Sequence, residues 1–94
     1  MKKEAHLINI ARGELVDPEA LLKVLKGEQI AGYATDVFEV EPVKQDPLLE
    51  LGNVISTPHI AYDTPGAKRK MLNIAVDNVK AYLLGQPQNI YVVP

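Results

Sequence analysis

Two short apolar runs with a well-marked helix between them constrain the fold of this sequence more than any other feature. The runs are "HLINIA" (residues 6–11) and "IAGYATDVF" (residues 30–38). Runs of this length that contain β-branched residues are typical of strands covered on both faces, as in a parallel sheet. Between them, "DPEALLKVLKG" predicts a helix, because Asp17 can cap it, Pro18 suits its first position and Gly27 suits its exit. The order strand, helix, strand with short connections predicts a right-handed parallel βαβ unit.

A third strand and a long helix complete the expected elements. "NVISTP" (residues 53–58) predicts a buried third strand, which follows a mostly irregular stretch (residues 38–52) with one helical turn at "PLLEL". "DTPGAKRKMLNIAVDNVKAYLLG" predicts the long helix, which Thr64 can cap, and "QPQNIYVVP" predicts an extended tail. The apolar stripe of the long helix suits either several packing neighbours or a broad contact with its own sheet. Together the elements predict an α/β fold of about three parallel strands with helices.

Composition excludes several classes of protein. A chain of 94 residues suffices for one small domain, whose stability is marginal without a partner. The net charge of -2 and the lack of a basic stripe argue against binding to nucleic acid. No apolar run approaches the roughly 20 residues of a membrane span, so no membrane partner is expected. The sequence has no cysteine, which excludes disulfides and thiolate metal sites and fits a cytoplasmic location; no metal ligand is assigned.

Charged or ionisable side chains follow each predicted strand. Arg12 follows the first strand, Asp36 closes the second with Glu41 just beyond, and His59 follows the third. Because the carboxyl ends of parallel strands share the edge where open α/β sheets bind ligands, these side chains are expected to lie together. An imidazole beside a carboxylate suits acid and base catalysis, and a guanidinium matches a substrate carboxylate with two hydrogen bonds. The set suits a small 2-oxo or 2-hydroxy acid whose carbonyl oxygen gains or loses a proton.

Spacing alone leaves a structural alternative open for each of these residues. His59 can be a structural histidine with satisfied hydrogen bonds, and Arg12 can bond the carbonyls of its own turn. Glu41 can be a solvated loop acid. The position of Asp36 at the end of an apolar strand is compatible with a functional or a structural role. A small α/β module that binds an unrelated anion at the same edge is a further alternative for the whole chain.

Three sequence blocks carry a resemblance to a known family. The segment "LINIARGELVDPEALLKVLKGEQIAGYATDVFEVEP", followed by "PLLELGNVISTPHIAYDT", resembles the D-isomer-specific 2-hydroxyacid dehydrogenases. The blocks "INxARGxLVD", "DVFExEP" and "TPHIA" occur in order and at suitable spacing, and the resemblance covers essentially the whole chain. It implies half of a Rossmann-like doubly wound sheet. Residues 1–62 would be the second half of the NAD-binding domain and residues 63–94 the C-terminal helix and tail, as a single partial domain.

The resemblance also implies roles for individual residues. Arg12 would hold the carboxylate and carbonyl of the substrate, and Asp36 would contact the nicotinamide end of NAD or NADP. Glu41, with Glu39 the poorer candidate, would orient His59, and His59 would be the general acid and base. The implied catalytic residues are Arg12, Glu41 and His59, and the implied cofactor-binding residues are Ala11, Arg12, Asp36 and His59.

Two features of the family are missing from this sequence. There is no G-x-G-x-x-G fingerprint, which grips the cofactor pyrophosphate through backbone amides, and no separate substrate-binding domain. The chain is therefore expected to be a fragment of an NAD(P)-dependent 2-hydroxyacid dehydrogenase that binds the cofactor weakly or not at all and is inactive alone. The alternative is a non-catalytic structural half-domain that associates with itself.

The first strand is expected to be an unprotected edge of the sheet. It has no proline and no charged residue between Leu7 and Ala11, so it lacks the usual protection against pairing with another chain. A two-fold axis parallel to the strands would set the first strands of two copies side by side and parallel. The expected partner is thus a second copy, in a homodimer that can also exchange the long helix, or the missing half-domain.

Overall fold

The computed structural model describes residues 1–92, so Val93 and Pro94, the end of the predicted tail, lie outside the described residues. The chain forms two compact units, residues 1–61 and residues 62–94. The first unit contains β1 (His6–Asn9), α1 (Pro18–Lys26), β2 (Gly32–Thr35) and β3 (Val54–Ser56), with 3₁₀ turns at Gly13–Leu15 and Pro47–Glu50. The second unit contains α2 (Pro65–Leu83). The predicted α/β fold with a long C-terminal helix is confirmed, and the strands are shorter than predicted.

The three strands form one parallel sheet in the order β1-β2-β3. Asn9, Thr35 and Ser56 lie side by side in register at the carboxyl ends of the strands. The predicted parallel pairing of the second and third strands is therefore confirmed. As a result, the segments that follow the three strands leave the sheet at the same edge. The candidate catalytic residues lie on these segments.

Helix α1 covers one face of the sheet. It begins as predicted, because Oδ1 of Asp17 accepts hydrogen bonds from the amides of Glu19 and Ala20, both at 3.0 Å. Its apolar face is buried: Leu21 and Leu25 are 4% and 2% exposed. These leucines form the core with three other buried side chains, Ile30, Tyr33 and Leu48. Burying one leucine is worth about 1.5–3 kcal/mol, so these two leucines contribute strongly to the stability of the unit.

The other face of the sheet carries exposed apolar side chains. Ile8 and Ile55 flank Ala34 in register and are 67% and 71% exposed. The expectation that the strands are covered on both faces, with Ile55 buried, is therefore wrong for this chain. The reason is that successive side chains along a strand point to opposite faces. Tyr33 joins the core with α1, whereas the next residue, Ala34, and its partners Ile8 and Ile55 lie on the opposite face.

Helix α2 begins at its predicted cap. Oγ1 of Thr64 accepts from the amide of Ala67 at 3.1 Å, and Pro65 occupies the first turn. No residue of α2 is buried, and Met71, Leu72 and Val79 of its apolar stripe are all more than half exposed. Within residues 1–92, neither helix combines the length and apolar character that crossing a bilayer would demand.

Candidate active site

The turn after β1 is shaped by Asn9, a polar side chain that is only 6% exposed. Its Nδ2 donates to the carbonyl of Arg12 at 2.7 Å, and its Oδ1 accepts from the amide of Ala11 at 3.1 Å. These bonds offer the backbone an alternative to the sheet, so the strand ends at Asn9 and earlier than predicted. The guanidinium of Arg12 is exposed, and its Nη1 donates to the carbonyl of Ala11 at 2.7 Å. That contact uses one of the five N–H donors of the guanidinium.

Asp36 follows β2 and holds the loop that follows β3. Its side chain is buried, and its Oδ1 accepts from Oγ1 of Thr57 at 2.5 Å. The same oxygen accepts from the amide of Ile60, and Oδ2 accepts from the amide of Ala61, both at 2.8 Å. Burial raises the pKa of Asp36, but these hydrogen bonds, together with the nearby His59, outweigh burial and hold the pKa below its ordinary value. The carboxylate therefore stays ionised and fixes the chain on both sides of the histidine.

His59 and Glu41 form a close pair. Nδ1 of His59 lies 2.6 Å from Oε2 of Glu41, and the two side chains are 42% and 33% exposed. The other carboxylate oxygen, Oε1, accepts from the amide of Phe38 at 2.8 Å. The structure thus places Glu41, rather than Glu39, against the histidine. Residues on loops after two different strands meet here because those strands are parallel neighbours.

The carboxylate of the pair, Glu41, is held in its ionised form. The hydrogen bond with His59 is the main cause that lowers the pKa of Glu41, and the amide of Phe38 adds to it. Burial acts in the opposite direction, and the charges of His59 and Arg12 make further lowering contributions. The charge of Arg12 thus favours the ionised form of Glu41. An ionised Glu41 can hold a proton on Nδ1 of His59 and so fix the ring and its tautomer.

The backbone of His59 has the left-handed conformation, with φ of 54°. Non-glycine residues are uncommon there, and such conformations persist where the surroundings impose them, often at functional sites. Asp36 supplies that constraint through Thr57 before the histidine and through the amides of Ile60 and Ala61 after it. The conformation is thus the product of a specific network and not of a loose loop.

One cavity lies beside these residues rather than among them. A space of about 730 Å³ lies beside α1 and residues 38–48, and its lining is mostly apolar. Glu41 is among the residues that line it, but Arg12, Asp36 and His59 are not. At the edge of the sheet, rather than in this cavity, Glu41 meets His59 and Asp36 binds the segment that follows the histidine.

Three residues with a structural part in the site were missed by sequence reasoning. Asn9 shapes the turn that carries Arg12, called the arginine turn below, and the hydroxyl of Thr57 donates to Asp36. Gly13 has no room for a side chain, because a Cβ there would meet the carbonyl oxygen of Phe38 at 2.6 Å. The available signals were a polar residue ending an apolar strand, a hydroxyl before Pro58 and a glycine directly after Arg12.

The exposure of the residues at the carboxyl edge of the sheet, called the rim below, indicates which of them can contact a cofactor. Ala11 and Arg12 are exposed and His59 is partly exposed, so these residues fit contact with the nicotinamide end of NAD or NADP. Asp36 is 3% exposed and both its oxygens are bonded to the histidine loop, so its contact with the cofactor stays a prediction. No group of three or more histidine, aspartate or glutamate side chains suited to a metal ion occurs within the described residues.

Comparison with known proteins gives consistent matches. The family described as "D-isomer specific 2-hydroxyacid dehydrogenase, NAD binding domain" matches residues 1–61. The glyoxylate reductase of Thermofilum pendens is 51% identical over 87 residues, which are 92% of this chain and 26% of that protein. The glycerate dehydrogenase of Methylorubrum extorquens is 45% identical over 93 residues, which are 96% of this chain and 30% of that protein.

A solved structure is similar over nearly the whole chain. It is an acyclic imino acid reductase, Bsp5, in complex with NADPH and D-Arg, with a TM-score of 0.87 and 36% identity. The match covers 98% of this chain and 29% of that one. The chain therefore spans less than a third of the length of each of these three relatives.

Proposed function

The chain belongs to the D-isomer-specific 2-hydroxyacid dehydrogenase family, and on that premise we propose that it carries the carboxylate-binding and proton-transfer residues of an NAD(P)-dependent dehydrogenase. The observation that carries the proposal is the 2.6 Å contact between Nδ1 of His59 and Oε2 of Glu41 at the edge where three parallel strands end. The relatives named glyoxylate reductase and glycerate dehydrogenase support a small 2-oxo or 2-hydroxy acid as the substrate.

Each residue has one role in the proposal. Arg12 binds the substrate carboxylate and polarises its carbonyl, because a guanidinium presents a planar fork of donors. His59 gives a proton to the carbonyl oxygen during reduction and takes it back during oxidation. The proton is exchanged at Nε2, since Nδ1 is directed at Glu41. Glu41 orients the ring through its contact with Nδ1.

The cofactor is NAD or NADP in this proposal. When bound, it supplies the hydride for reduction of the carbonyl carbon, which is the chemistry that protein side chains cannot provide. Ala11, Arg12 and His59 are the exposed rim residues that would lie against its nicotinamide end. A cytoplasmic location belongs to the same proposal and is supported by the absence of cysteine from the sequence.

A chimera gives the direct test. This chain replaces the matching 87-residue segment of the Thermofilum pendens glyoxylate reductase, and reduction of glyoxylate is followed with NADH and with NADPH. The expected result is an active chimera. His59→Ala should lower kcat by about 10²–10⁴-fold, because it removes proton transfer, and Arg12→Ala should also raise KM.

Two controls accompany this experiment. His6→Ala removes the other histidine of the chain, which is exposed at the start of β1, and should leave the kinetics unchanged. The unmodified chain, assayed alone with glyoxylate, pyruvate and hydroxypyruvate, should show negligible turnover, since correct positioning of reactants supplies roughly 7–11 kcal/mol. A folded chimera that binds NADPH but is inactive, or a His59→Ala chimera with unaltered kcat, would refute the proposal.

A second candidate function is favoured by one observation, the exposed side of the sheet. Ile8 and Ile55 are 67% and 71% exposed, although parallel sheets are almost always covered on both faces. Strand β1 also lies at one of the two ends of the strand order. We propose that this chain on its own acts as a structural half-domain that pairs with a second copy through β1, so that the two sheets become continuous.

A further inference from the structure

The turn that carries Arg12 presses against the backbone of the segment that carries Glu41. The contact is made at Gly13, the residue directly after the arginine. A Cβ atom added to Gly13 would lie less than 3.0 Å from three backbone atoms of Phe38 and Glu39, a distance that real Cβ atoms essentially never show. Backbone atoms cannot swing aside as a flexible side chain can, so only glycine fits the present spacing of these two segments.

The segment on the other side of this contact orients the proposed catalytic pair. Phe38, whose carbonyl meets Gly13, donates its amide to Oε1 of Glu41 at 2.8 Å. The other oxygen of Glu41 lies 2.6 Å from Nδ1 of His59. A displacement of Phe38 therefore reaches the imidazole through a single carboxylate.

The arginine turn cannot simply relax away from Phe38. Asn9, which is 6% exposed, holds it from the sheet side through the carbonyl of Arg12 at 2.7 Å and the amide of Ala11 at 3.1 Å. Gly13 itself begins the 3₁₀ turn Gly13–Leu15, and the amide of Val16 donates to its carbonyl at 3.2 Å. The turn is thus held on one side by a buried amide side chain and meets a backbone on the other.

From these contacts we propose that Gly13 is a positioning residue, which sets the distance between the carboxylate-binding Arg12 and the proton-transferring Glu41–His59 pair. The inference rests on the proposed function and deepens it, since it names the contact that couples the two halves of the site. It acts through other residues and touches neither substrate nor cofactor.

Gly13→Ala in the chimera is the first test. The added methyl group must push the two segments apart, and a misplacement of about 1 Å in a catalytic site can cost roughly 10²-fold in rate. We therefore expect kcat to fall about 10²-fold, with KM for glyoxylate raised and the pH profile of kcat shifted, because the surroundings of His59 change. Gly52→Ala is the matched control, because a Cβ there meets nothing within 4 Å, and it should leave all three quantities unchanged.

A second measurement uses the unmodified 94-residue chain and does not depend on activity. Nuclear magnetic resonance should show a strong nuclear Overhauser effect between an α-proton of Gly13 and the amide proton of Glu39. The resonance of the Nδ1 proton of His59 should appear far downfield, since this proton is hydrogen-bonded to the carboxylate of Glu41. In the Gly13→Ala chain this resonance should move upfield or vanish, whereas in the Gly52→Ala chain it should stay.

The two measurements separate the inference from the function on which it rests. An inactive wild-type chimera would count against the proposed function, while the Overhauser effect and the His59 resonance would still decide the role of Gly13. Wild-type kinetics and an unaltered His59 resonance in Gly13→Ala would overturn the inference. If Gly13→Ala does not fold, the Overhauser effect in the wild-type chain decides: its presence supports the contact, and its absence overturns it.

Discussion

Asp36 is the residue on which the conformation of the histidine loop depends. Its carboxylate bonds a hydroxyl on one side of His59 and two amides on the other, and the histidine between them has φ of 54°. Backbone conformations of this kind cost of order 1–3 kcal/mol and persist only where the surroundings impose them. The ionised state of Asp36 therefore couples the shape of the loop to pH.

The stability of the chain should consequently fall in acid. The pKa of Asp36 is lower than its ordinary value of 3.8 and that of Glu41 lower than 4.5, so the unfolded chain binds more protons than the folded one in this range. Their contribution is fully present above those ordinary values and is lost as the pH falls through the lower folded values. Urea unfolding measured at about pH 6, 4 and 3 should show a declining free energy of unfolding.

A substitution isolates the part that belongs to Asp36. Asp36→Asn should be less stable than the wild type near neutral pH and should lose less stability on acidification, because the titrating group is gone. Glu4→Gln removes an exposed carboxylate at the start of the chain and serves as the control, with the wild-type pH dependence retained. A wild-type free energy of unfolding that stays flat down to about pH 3 would contradict the interpretation.

At the scale of single elements, α1 is the helix whose beginning is best defined by the sequence. Asp17 caps it through two amides at 3.0 Å, and Pro18 follows at the first helical position. Asp17→Ala should lower the free energy of unfolding by about 0.5–2 kcal/mol, since it leaves these donors without a side-chain acceptor. Glu14→Ala, which removes an exposed carboxylate from the preceding turn, should change stability by less than about 0.5 kcal/mol; equal effects of the two substitutions in urea would exclude the capping role.

The elements themselves were largely predictable from the sequence. Both helices carry their signals locally, in a capping residue, a following proline and a regular apolar spacing, and both begin where those signals place them. The parallel order followed from the short strand, helix, strand connection. Strand ends were less predictable, because Asn9 ends β1 through side-chain bonds to its own turn and reads in the sequence as one more strand residue.

For the candidate site, the positions of the named residues could be predicted from the sequence, their roles stay predictions, and the contacts that hold them could not be predicted. Arg12, Asp36, Glu41 and His59 follow strand ends and so could be placed on one edge from topology alone. The contacts of Gly13 and Thr57 depend on how closely two separate segments approach, which sequence spacing does not encode. The prediction that both faces of the sheet are covered was wrong for a similar reason. An apolar run shows that both faces of a strand are apolar, but it does not show which segment covers each face.

At the scale of the whole molecule, the exposed apolar surface matters most. Ile8, Ile10 and Ile55 are each at least 67% exposed. Within the described residues, β1 is paired only with β2. The other edge of β1 therefore presents backbone donors and acceptors with which another chain can pair. A two-fold axis parallel to the strands would bring two β1 edges together as parallel neighbours. An interface of this kind should bury more than ~1,000 Å².

The expected outcome is a homodimer, of twice the 10.3 kDa chain mass, in sedimentation equilibrium at micromolar concentration. Ile8→Lys places a charge on the pairing strand and should weaken association at least about tenfold, because burying an isoleucine side chain is worth about 1.5–3 kcal/mol. Leu15→Lys is the matched control, since Leu15 is equally apolar and 71% exposed but lies outside the sheet. Both variants lose a similar exposed side chain, so only pairing through β1 makes Ile8→Lys the more damaging of the two. A folded wild-type monomer, or equal weakening by both substitutions, would exclude association through this edge.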